Sequence, residues 1–151
     1  MGGVALPYLL AVVAGVLNML QSGSNSTLNE KLEAGPVLPA LAVYLVGIVA
    51  ILVAAPFIGR PVAGVLGRAG AVPWWGWIGG ALGAFYVVVT LTQAKGMGAG
   101  AFTAVTLTAA VVTSLVLDHY GLLGFDMRPL TVLRVVGGVL MVVGVGLVAR
   151  F

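Results

Sequence analysis

The sequence predicts an all-α integral membrane protein with five transmembrane helices, and three observations carry that reading. Of the 151 residues, 61% are hydrophobic and only 7% are charged, whereas about a quarter of a soluble domain is charged. The apolar residues gather into five stretches, at about 5–30, 37–58, 73–94, 98–118 and 130–150, each near the roughly 20 residues that a spanning helix needs. The connections between them are short and hold most of the charge, with Gly and Pro as punctuation. The 23 glycines follow no G-X-Y period, and the apolar content is far too high for disorder. A single transmembrane domain covering residues 1–151, embedded in the lipid bilayer, is the expectation.

Each span has its own signals. Residues 1–7 carry no Lys or Arg, so the first span lacks the positive start of a cleaved signal and is expected to stay. It closes on Glu30, Lys31, Glu33, Gly35 and Pro36. The second span runs to Gly59, Arg60 and Pro61, and Arg68 follows in the same connection. The third opens behind Pro73 with Trp74, Trp75 and Trp77. Pro in a first turn costs no hydrogen bond and indole rings suit the membrane interface, so this cluster reads as an anchor and not as a ligand cage. Lys95, Gly96 and Gly98 end the third span, and Asp118, His119 and Gly121 end the fourth. The fifth follows Arg128 and Pro129; its Gly137, Gly138 and Gly144 read as packing or dimerisation surface.

The net charge of +3 would suggest nucleic acid in a soluble protein, but the seven Lys and Arg stand singly at span ends. That is a topology signal, and no nucleic-acid partner is expected. With the N-terminus in the cytoplasm, Arg60, Arg68, Arg128 and Arg134 lie inside, against Lys31, Lys95 and Arg150 outside. So small a bias leaves insertion in both orientations open.

The first span holds the unusual stretch NMLQSGSNSTLN, residues 18–29. With 100° per residue and Asn18 as zero, Gln21 falls at about −60°, Ser22 at about +40°, Asn25 at about −20° and Asn29 at about +20°. These five share one arc, with Ser24, Ser26 and Thr27 outside its centre. Lipid cannot satisfy an amide, which costs several kcal/mol when unpaired in hydrocarbon. The face therefore meets water or protein: it is either a solvated cavity wall offering donors and acceptors to a ligand, or a seam bonded to neighbouring helices. Weaker stripes run through Tyr86, Thr90 and Gln93 in the third span and through Thr103, Thr106 and Ser114 in the fourth. Most of these read as close packing, with hydroxyls bonding their own backbone; Tyr86 and Gln93 read as cavity residues.

Several chemistries lack their residues. There is no cysteine, and the only histidine, His119, stands beside Asp118, so no metal site is expected. No phosphate-binding glycine loop exists, no cofactor is implied, and an enzyme is not expected. Glu30, Glu33, Asp118 and Asp126 all lie at span ends or in connections, which leaves no carboxylate at mid-membrane for proton exchange. Asp118 could cap a turn, pair with His119, Arg128 or Arg134, or act as a gate, and the structural ion pair is the favoured reading.

The segments PWWGWIGGALGAFYVV (residues 73–88), SLVLDHYGLLG (114–124), RPL (128–130) and RVVGGVLMVVGV (from Arg134), with the amide-rich QSGSNSTLNEKL, resemble the YdcZ-like family of short bacterial inner membrane proteins, part of the drug/metabolite transporter superfamily. The likeness covers essentially the whole chain. It implies a multi-pass inner membrane protein forming one half of an EamA-like inverted-repeat bundle, in which two five-helix units surround a central cavity. A homodimer with a copy inserted the other way, or a heterodimer with a similar short protein, would supply the second half. Relatives often carry Gln where this chain has Ala110, which puts shared substrate contacts in doubt, and the resemblance supplies no substrate.

The residues and the resemblance together point to a secondary transporter or exporter of a small polar or amphipathic molecule. Asn18, Gln21 and Asn25 would bind it near mid-depth, with Tyr86, Gln93, Thr103 and Thr106 on facing walls. The competing reading is a non-transporting membrane subunit that packs against a partner protein.

Overall fold

The computed structural model describes residues 5–58 and 65–150. Gly59, Arg60 and Pro61 of the second connection, and the first four of residues 1–7, lie outside the described residues. Every regular element described is helical: α1 (Ala5–Leu32), α2 (Val37–Ile58), a single turn α3 (Val65–Ala69), α4 (Trp74–Trp77), α5 (Gly79–Met97), α6 (Ala99–Tyr120) and α7 (Val132–Arg150), with a 3-10 turn at Leu122–Gly124. Five helical stretches are long and apolar enough to cross a membrane: Ala5–Leu32, Val37–Phe57, Trp74–Met97, Ala99–Tyr120 and Val132–Arg150. Where these run past the expected ends, they do so through Lys31, Lys95 and His119. Such side chains can reach the interface while their backbone stays helical.

The contacts divide the chain into two units, Met1–Thr92 and Gln93–Phe151. In the first, α1 and α2 form a hairpin turned by Glu33 (φ 49°) and Gly35 (φ 71°), both left-handed. Pro39 is enclosed in the first turn of α2, where a missing backbone donor breaks no intrahelical bond. Ala40 packs with Val87 and Leu91 of α5, and Val43 and Val88 close over them. Gly83 lets α5 approach α2: a Cβ there would lie 3.1 Å from Tyr44 Oη. The outer faces, including Leu9, Val16 and Leu20 of α1 and Leu45, Val49 and Leu52 of α2, are exposed large hydrophobics suited to lipid. Trp74 and Trp77 are exposed, behind an extended Pro73 that caps α4.

The second unit is built on the α6–α7 hairpin. Gly121 ends α6 in the left-handed conformation (φ 60°), its N–H donating to Leu117 O, which favours glycine. Gly138 is buried against Leu115, whose Cδ1 would lie 3.2 Å from an added Cβ. The loop folds back on the end of α6: Arg128 N–H donates to Asp118 O at 2.6 Å and Leu130 N–H to His119 Nδ1 at 3.2 Å. Thr106 and Ser114 bond carbonyls of their own helix, a habit of short hydroxyl side chains in apolar helices.

Candidate functional site: a groove between two helices

The polar half of α1 serves two neighbours. Toward α5, Asn29 Nδ2 donates to Leu91 O at 3.1 Å and Ser26 Oγ to Thr90 O at 3.4 Å. Ser22, Asn25 and Ser26 are the buried residues of this helix. Ser26, set outside the centre of the polar face, is thus a bonded seam residue. The spacing of Ser22, Ser26 and Asn29, i, i+4 and i+7, is that of a packed helical stripe and was the signal for it.

Toward α2 the same helix turns Gln21, Ser24, Asn25 and Leu28 into a groove of about 450 Å³, within the usual size range of small-molecule sites. The opposite wall is Ala42, Val43, Val46, Gly47 and Ala50. Gln21 stands eleven residues before the end of α1 at Leu32, or about 16 Å at 1.5 Å per residue. A helix end at the interface would place Gln21 near the middle of a hydrocarbon core of about 30 Å. Among the described residues, no charged side chain lines the groove.

Asn25 is the informative residue. Only 6% of it is exposed, yet among the described residues its side-chain amide has no hydrogen-bond partner, nor does that of Gln21. No fully enclosed polar side-chain atom among the described residues lacks a partner. What accessible surface Asn25 keeps therefore includes its amide, and the groove is where that amide opens. An amide that bonds no neighbouring helix and opens into a groove is free to meet water or a ligand there, so the position is suited to more than structure alone.

The groove brings together Gln21 and Asn25 of the expected site. Asn18, one turn toward the N-terminus, is exposed and does not line it, and Tyr86 is exposed on α5 outside the lining. Gln93, Thr103 and Thr106 belong to the second unit. Ser24 and the apolar wall of α2 were missed. Ser24 projects between the polar and lipid faces, and α2 has no polar side chain but Tyr44 to give it a direction.

At the end of α6, Arg134 Nη1 lies 3.6 Å from Asp118 Oδ2 and also donates to Arg128 O at 3.2 Å. An acid in the last turn of one helix and a base in the first turn of the next each oppose the local helix dipole. Their pairing offsets that. With side chains 26% and 34% exposed, the pair contributes no more than about 1 kcal/mol.

The family model described as "Putative inner membrane exporter, YdcZ" matches residues 6–147. The inner membrane protein YdcZ of Escherichia coli (strain K12) is 34% identical to this chain over 106 residues, 70% of each protein. No solved structure matches significantly.

Proposed function

The chain belongs to the YdcZ family of inner membrane proteins, and from that membership we propose that it is a secondary transporter that exports a small amphipathic molecule bound in the α1–α2 groove. The observation that carries the reading is Asn25, a nearly buried residue whose amide opens at the groove with no partner among the described residues. Asn25 and Gln21 hydrogen-bond the substrate, Asn18 extends the path along α1, and Tyr86, Gln93, Thr103 and Thr106 serve as contacts in transit. No bond of the substrate is made or broken, so the protein is not an enzyme.

Two copies inserted in opposite orientations form the working transporter, with the substrate path enclosed by the pair and access alternating as one copy rocks against the other. Lys and Arg divided four to three between the two sides support insertion both ways; a similar short protein as partner would serve the same geometry. A reporter fused after Phe151 should be active on both sides of the membrane for the homodimer and on one side for a heterodimer. The seam bonds of Ser26 and Asn29 favour the second reading, a non-transporting subunit, for that part of the face only. The deciding experiment is a ligand-stabilisation screen on purified protein followed by flux of the hits in proteoliposomes. Flux that persists unchanged in both Gln21→Leu and Asn25→Leu overturns the groove as the transport site.

A further inference from the structure

We infer that the groove selects an uncharged, planar molecule with an amide-type edge, a donor beside an acceptor, which it holds between Gln21 and Asn25 on one side and the apolar wall of α2 on the other. The inference rests on the transporter reading and narrows its substrate. Gln21 and Asn25 are four residues apart on α1, so their side chains leave the helix about 5–6 Å apart on one face. Each amide offers two N–H donors and a carbonyl acceptor, and in both amides all of these are unengaged among the described residues.

A carboxylate, which only accepts, would satisfy the N–H groups and leave both amide carbonyls empty. An ammonium or amidinium, which only donates, would do the reverse. Either would also bring a full charge into a groove that no charged side chain lines among the described residues, and an uncompensated charge in a low-dielectric site is strongly disfavoured. A neutral amide, lactam or ureide edge answers donors and acceptors together. The facing wall carries only aliphatic side chains and one glycine, and a Cβ added at Gly47 would meet nothing within 4 Å. That leaves a shallow open surface on which the flat apolar face of such a molecule can rest.

The native chain has no cysteine, which allows a direct test. Ser24→Cys, purified in nanodiscs with both faces open, is labelled with a water-soluble maleimide in the presence of benzamide, benzamidinium or benzoate. These share one ring and nearly one shape and differ in the head group. Benzamide should halve the labelling rate at about tenfold lower concentration than either ion, a factor equivalent to 1.4 kcal/mol. In the Asn25→Asp background, which keeps the shape and adds a carboxylate, the preference should pass to benzamidinium. Benzamidinium or benzoate protecting as well as benzamide in the unsubstituted groove overturns the substrate class and leaves the groove standing. Free labelling with no protection by any of the three overturns it too. A Ser24→Cys that does not react at all shows that no wet groove exists, and the transport site falls with the inference.

Discussion

Replacing Asn25 with Leu should make the protein more stable and disable it at the same time. The two side chains are of similar size, so the change removes an amide without opening a cavity. In the free protein that residue is 6% exposed and its amide, without a partner among the described residues, opens only to the groove; its loss removes a partial desolvation cost, at most about 1–3 kcal/mol. For a chain of this length each kcal/mol corresponds to a rise in Tm of about 2–4 °C. In the complex, the same amide would supply two hydrogen bonds to substrate at about 0.5–1.5 kcal/mol each. Their loss weakens binding by roughly 5- to 150-fold. Thermal unfolding in detergent gives the first quantity, and ligand stabilisation with flux in proteoliposomes gives the second. A lower Tm with transport intact would refute the reasoning, because it would mean that Asn25 is bonded within the fold and idle in transport.

Ser26→Ala and Asn29→Leu should behave in the opposite way. Each breaks a bond to an α5 carbonyl and should lower stability by about 0.6 kcal/mol, with flux preserved, which the same two assays read. Gly47→Leu should not lower Tm, since the added Cβ meets nothing within 4 Å and Leu favours a helix interior over Gly, and it should block binding by filling the groove; retained ligand stabilisation would count against the lining. Asp118→Asn should change stability by less than about 1 kcal/mol, because a partly exposed ion pair is lost while an acid is also removed from a helix C-terminus. Flux lost at unchanged stability would identify that pair as a gate instead.

The five spans were legible because each is a continuous apolar run, and continuous runs need no knowledge of neighbours. Their ends were less so, since Lys95 and His119 look like boundaries in hydropathy while the backbone hydrogen bonds continue past them. The polar face of α1 was also legible from its helical period. Its division was not. Projection places Asn25 and Asn29 on one arc, and only the positions of α2 and α5 show that Asn29 meets a carbonyl while Asn25 meets a groove. Half of that groove was invisible because its wall, Ala42, Val43, Val46, Gly47 and Ala50, is made of residues that any apolar helix contains. Family membership, by contrast, was carried by the whole run of motifs from the WWGW opening of the third span to the DHYGLLG turn.

The division of that face is most directly tested by single cysteines along α1 labelled with a water-soluble thiol reagent in the native bilayer. Gln21→Cys and Ser24→Cys should react, because they line a groove that admits water. Ser26→Cys should stay silent because it is buried against α5, and Val16→Cys because it faces lipid. Silence at 21 and 24, or equal reactivity at 26, would contradict a polar face split between a seam and a substrate groove.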